Sequence, residues 1–311
     1  MANLTEDINY TKTSPEFFCS IGPGAAQKIF MSATNLPASV VAFVGNFLII
    51  VTLRKVSCLH TPSKLLLGCL ACTDLGVGLI SQPLYIVYFL SSEHSKDCYY
   101  SYLLLSTFGS IFCGVSLLTM TAVSVDRLLA LLLGLRYRQV VTARRVRLLV
   151  ITFWVFGILN AAVVFYSHPL ARGIAVAVML LCITISSFCY TKIYRTLRLS
   201  QAQVQDQAHQ GQQNGEGIQL NKARYKKTVS TALWVQMALL VCYLPYGLVA
   251  GFISISGLIT PFLNFTRAFA ISLLLFNSTL NPFLYCWKMR EIRQAMKHTV
   301  RQFCRFPTQE T

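Results

Sequence analysis

An acid and a base stand side by side at Asp126-Arg127, where a long apolar run gives way to the basic residues Arg136, Arg138, Arg144, Arg145 and Arg147. A charged pair in that place has two readings. Its guanidinium can anchor a helix end among lipid headgroups. Alternatively it is a switch, held by the neighbouring carboxylate until a partner offers a better position. A second carboxylate, Asp74, lies in Leu70-Ala-Cys-Thr-Asp-Leu75, in the middle of another apolar run. A carboxylate there needs a cation or a proton, because ionised groups are costly away from water. Asn46, Ser116, Asn277, Ser278 and Asn281, in other apolar runs, are candidates to share its site. One ionisable group among amides and hydroxyls suits a small cation; the plainer reading is hydrogen-bonded glue between helices.

The elements that must position these residues are membrane spans. The chain has 311 residues, 54% of them hydrophobic and 12% charged, with a mean hydropathy of +0.55. That is not the composition of a soluble domain. Seven apolar segments are long enough to span, near 31–53, 63–90, 101–131, 146–167, 171–198, 227–254 and 266–287. With the amino terminus outside, the outer face carries Lys12, Lys28, Lys96, Arg172 and Arg267, and the other 22 of the 27 lysines and arginines face inward. The positive-inside rule favours that orientation. The excess of base is thus a matter of sidedness, and nucleic acid is not an expected partner. The expected architecture is an all-α membrane protein: a seven-transmembrane helix bundle with a short amphipathic eighth helix.

Residues 1–29 form the expected extracellular tail, with no signal-peptide pattern and with glycosylation sequons at Asn3 and Asn9. The bundle occupies 30–287, and its inner loop 199–226 reads as a flexible polar tether. Residues 288–311 form a cytoplasmic amphipathic helix and tail that meet membrane lipid. Pro245 in the sixth span and Pro282 in the seventh each remove a helical hydrogen bond. Two such sites in adjacent spans suggest helices able to pivot. The five histidines show neither a Ser/His/Asp set nor metal-ligand spacing, so no enzyme is expected.

Taken together, Gly45-Asn46, Leu70-Ala-Cys-Thr-Asp74, Asp126-Arg127-Leu128, Trp154, Cys242-Tyr-Leu-Pro245 and Asn281-Pro-Phe-Leu-Tyr285 resemble the rhodopsin-like (class A) G-protein-coupled receptors. The resemblance implies a plasma-membrane receptor that passes an extracellular signal to a heterotrimeric G protein, with arrestin as a further partner. It implies no cofactor beyond a regulatory sodium ion, held by Asp74, Ser116, Asn277 and Asn281. Asp126, Arg127, Tyr190 and Tyr285 would form the inner switch, Leu135 would press into the G protein, and Tyr243, Pro245 and Pro282 would be pivots. There are departures from the family pattern. Leu128 and Tyr243 replace a usual tyrosine and tryptophan, and no acid near Lys222-Ala-Arg-Tyr-Lys-Lys227 can hold Arg127. No cysteine lies between Asn160 and Val178 to make the usual outer disulfide. The short second outer loop is most similar to the melanocortin, cannabinoid and lysophospholipid branch.

By the same resemblance the ligand pocket is lined by Gln82, Tyr85, Leu105, Gly109, Cys113, Tyr243, Tyr246 and Ile271. Biogenic-amine receptors need an acid near Gly109, and this chain has none there. The expected ligand is therefore lipid-like or a peptide with apolar side chains. A receptor-like protein that does not signal is the rival reading, and a transporter a weaker one. Only Cys19 and Cys98 are expected on the oxidising side, so they pair as a disulfide or remain two free thiols. Cys304 is a candidate for palmitoylation, or else a free cytoplasmic thiol.

Overall fold

The computed structural model describes residues 24–55, 60–92, 95–209, 237–258, 260–288, 293–297 and 299. Every regular element among them is a helix. The first span is Ala25–Lys55. The second runs over Thr61–Leu90, the third helix is Lys96–Leu133, the fourth Ala143–Tyr166 and the fifth His168–His209. The sixth span is Met237–Ser256 and the seventh helix Pro261–Lys288.

The first six are long and apolar enough to cross a membrane by length and composition alone. The seventh completes the bundle and buries Asn277, Ser278, Thr279 and Asn281. Large apolar side chains such as Ile158, Leu181, Phe188 and Leu248 face outward, the reverse of a soluble fold. Polar side chains point into the bundle instead, where other helices satisfy them.

Local chemistry sets the helix ends. Ser95 caps the third helix by accepting from the Cys98 N–H at 3.1 Å, with Asp97 in the first turn. Gly134 closes that helix at φ 50°, a conformation that favours glycine, and a short 3-10 turn, Gly134–Arg136, follows. The fifth helix runs on to His209, so the start of the polar inner stretch is helical rather than a tether.

The second span contains a wide turn, Val77–Ser81, in which the Gln82 N–H donates to the Val77 carbonyl five residues back. Pro83, having no N–H, cannot continue the regular bonding pattern just after it. Gly45 of the family motif packs directly on the seventh helix: an added Cβ would lie 2.8 Å from the Pro282 ring.

Two apolar clusters fill the bundle. The outer one joins Met31, Tyr85, Tyr88, Phe89, Tyr102 and Cys113 across the first, second and third helices. The central one joins Leu117, Met120, Met179, Cys182, Leu239 and Tyr243 across the third, fifth and sixth. Below them Met296, in a helical stretch at 293–297, packs against Ile49, Leu53, Leu67 and Ala71. That side chain of the eighth helix reaches the bundle rather than only the leaflet.

Candidate functional site

Three sites lie along the third helix. At its outer end is a cavity of about 180 Å³. Of the expected lining residues, Tyr85, Leu105, Gly109, Cys113, Tyr243, Tyr246 and Ile271 are there. Gln82 is not. It is fully buried away from the cavity, and neither atom of its amide finds a hydrogen-bond partner. It stands about one turn further into the bundle than Tyr85, on the same helix. Tyr88, expected beside Tyr85, lines the cavity, and Phe89 joins them. The Tyr85 hydroxyl, for its part, is engaged by the Ala268 carbonyl at 2.8 Å.

An apolar and phenolic lining was the expectation, and here it needs correction. Arg172, Arg267, His168 and Asn264 also face the cavity. Arg267, counted by sidedness as an outer-surface base, is only 7% exposed. Its guanidinium donates to Asn264 Oδ1 at 3.2 Å and lies 5.8 Å from the Tyr102 ring centroid. The imidazole of His168 is tilted against the same tyrosine ring, 6.1 Å between centroids. The signal for these residues was helical phase. Asn264, Arg267, Ile271, Leu274 and Leu275 share one face of the seventh helix, and Arg172, Ala175 and Met179 share one face of the fifth.

Midway, Asp74 is fully buried and accepts three hydrogen bonds. Asn281 Nδ2 donates at 2.6 Å, the Ser278 hydroxyl at 2.8 Å and the Ser116 hydroxyl at 3.3 Å. Asn277, expected in this set, instead turns its amide nitrogen toward the Met120 sulfur at 3.5 Å, and Ser278 takes its place. Asn46 ties the first span in by donating to the Ser278 carbonyl at 3.0 Å.

At the inner end, both oxygens of Asp126 are occupied. The Tyr137 hydroxyl donates to Oδ1 at 2.5 Å and the Ser63 hydroxyl to Oδ2 at 2.9 Å. Arg127 lies further off, 3.9 Å from Oδ2, with its side chain 43% exposed. Ser63 and Tyr137 were not singled out from the sequence. Tyr190 packs with Leu128, Cys189 and Ile193 next to the pair. Leu135 projects from the 3-10 turn almost entirely into solvent, 98% exposed. Tyr243 is buried in the central cluster, and Pro245 and Pro282 lie within the sixth and seventh helices.

The sequence signature of the 7 transmembrane receptor (rhodopsin family) matches residues 45–172 and 166–285. The chain belongs to that family. This receptor is 27% identical over 293 residues to trace amine-associated receptor 9 of Mus musculus, covering 83% of this chain and 81% of the relative. It is 23% identical over 294 residues to melanocortin receptor 5 of Mus musculus, covering 89% and 84%. A shorter match, 33% over 138 residues, is to adenosine receptor A2b of Bos taurus, covering 44% and 41%.

Cys98 of the receptor is disulfide-bonded. Its expected partner Cys19 lies outside the described residues, as do Asn3, Asn9, Cys304 and the side chain of Tyr285.

Proposed function

We propose that this receptor resides in the plasma membrane with its amino terminus outside. There it converts binding of an extracellular ligand in the outer cavity into nucleotide exchange on a heterotrimeric G protein. The observation that supports this is the placement of all three sites on one helix. From Gly109 to Asp126 the third helix covers about 26 Å at 1.5 Å per residue. A rigid element of that kind can couple a ligand at one end to the Arg127 switch at the other. Leu135, almost wholly exposed beside that switch, offers the apolar contact a G protein would take.

Several relatives are named as trace amine receptors. An amine is not the ligand proposed here. Position 109, where biogenic-amine receptors need an acid, is glycine, and none of the described cavity residues is a carboxylate. The cavity, about 180 Å³, is below the roughly 300–1,000 Å³ of drug-sized sites. It suits one ring, one short chain or one apolar side chain of a peptide rather than a whole lipid.

The residues about Asp74 fit a sodium ion. A hard cation takes oxygen ligands, and Asp74 with the hydroxyls of Ser116 and Ser278 supplies them. The side-chain oxygens of Asn46 and Asn277 are moreover buried without a hydrogen-bond partner. Asp74, Ser116, Ser278, Asn277 and Asn281 would hold the ion, which neutralises the carboxylate. Without it, the three donors satisfy Asp74 in the geometry described.

The test is nucleotide exchange by purified receptor on a panel of G proteins, with and without Arg127→Ala. Exchange by the intact receptor, lost in the variant, is expected. No exchange on any member of the panel would favour the rival reading, a receptor-like protein that does not signal.

A further inference from the structure

Residues 155–165 of the fourth helix hold one polar side chain, Asn160, in an otherwise apolar stretch. It is 8% exposed, and its Oδ1 is buried without a hydrogen-bond partner. An amide left unpaired is costly inside a bilayer, where the surrounding hydrocarbon cannot supply the bond. Among the described residues, Asn46, Gln82 and Asn277 also bury such an oxygen, but they lie away from the outer cavity. Asn160 lines it, on one helix face with Phe156, Gly157 and Val164. The third helix leaves this space open. Gly109 and Gly114 line the cavity, and at either of them an added Cβ would meet nothing within 4 Å. Ser110, between them, donates its hydroxyl proton to the Ser106 carbonyl at 2.6 Å and so has none for Asn160.

We infer that the ligand is a small neutral carboxamide, whose N–H donates to Asn160 Oδ1 while its apolar body lies against Leu105, Cys113 and Leu117. An asparagine presents an acceptor and a donor side by side. A carboxamide answers both, its carbonyl accepting in turn from Asn160 Nδ2. The donor is neutral because the described lining holds no aspartate or glutamate to pair with an ammonium. One ring or a short chain attached to the amide fits a cavity of about 180 Å³. The assignment deepens the reading of the outer cavity as the ligand site, and it rests on that reading.

Two isosteric probes isolate that hydrogen bond. Purified full-length receptor in lipid nanodiscs is melted with increasing 3-phenylpropanamide, and with 4-phenylbutan-2-one, which carries a methyl where the amide carries its NH2. A ligand that binds only the folded state raises the melting temperature. The amide should do so, and the ketone should need about tenfold more for the same rise. 3-Phenylpropylamine, an ammonium of the same length, should give none. Asn160→Ala should make amide and ketone alike. Having lost an unpaired amide, that variant without ligand should melt no lower than the intact receptor. Equal responses of the intact receptor to amide and ketone, no response to the amide, or a larger one to the amine would overturn the inference. So would a preference for the amide that survives in Asn160→Ala, or a variant that melts well below the intact receptor, the mark of an asparagine that holds helices together. The comparison of probes on the intact receptor stands even if the variant does not fold. The readout contains no G protein, so its outcome is separate from the success or failure of the exchange assay.

Discussion

Removing one hydroxyl, in Tyr137→Phe, should lower ligand-free signalling. Asp126 is 4% exposed, and its two oxygens are taken by Tyr137 and Ser63 at 2.5 and 2.9 Å. Arg127, at 3.9 Å, gets what remains of that carboxylate. Deleting the phenol leaves Oδ1 buried with one partner fewer, and the nearest strong donor is the Arg127 guanidinium. A hydrogen bond to an ionised group is worth about 1.5–3 kcal/mol, or roughly ten- to 150-fold in an equilibrium at 1.4 kcal/mol per decade. Because the Arg127 side chain is 43% exposed, water screens part of that gain. A fall of about three- to tenfold in basal exchange is therefore expected. Arg127 is held more firmly and is less free to meet the G protein. Ser63→Ala, which vacates Oδ2, should act in the same direction. The assay is nucleotide exchange per receptor without ligand, at matched surface density. A rise in basal exchange, or none of the expected fall in either variant, would refute the view that these hydroxyls compete with Arg127 for Asp126.

Three further outcomes follow from the geometry. Asp74→Asn should abolish any difference in melting temperature between sodium and choline chloride at equal ionic strength; a difference that survives would place the ion elsewhere. Gly45→Ala puts a methyl 2.8 Å from a proline ring that cannot swing aside, so overpacking of about 1–3 kcal/mol should lower the melting temperature, and an unchanged value would refute the close approach. Gly109→Asp adds a side chain where a Cβ meets nothing within 4 Å. It should fold and gain a rise in melting temperature with 3-phenylpropylamine, and a variant indifferent to the amine would separate Gly109 from the ligand site.

Much of this molecule was legible in its sequence, for one physical reason. A bilayer allows polar residues inward only, so Asp74, Asn46 and Asn281 announced both the bundle and its interior. What remained hidden depended on helix phase. Asn277 and Ser278 are adjacent, and Asn281 is four residues from one and three from the other, so either can share its face. Only the rotation of the seventh helix, which sets its Pro282 against Gly45 of the first span, decides for Ser278. Gln82 was misplaced in depth, since it stands about one turn further into the bundle than Tyr85, which the cavity does reach. Arg267 was misassigned for a different reason. A count of charges by side treats any base near a span end as facing water. Yet Arg267 stands one turn above Ile271 on the face that looks into the cavity. The argument against an amine, drawn from a glycine at position 109, had considered only what was missing. Helical phase adds what that argument left out: among the described residues the cavity also holds Arg172 and Arg267, bases that a count by sidedness leaves on the outer surface.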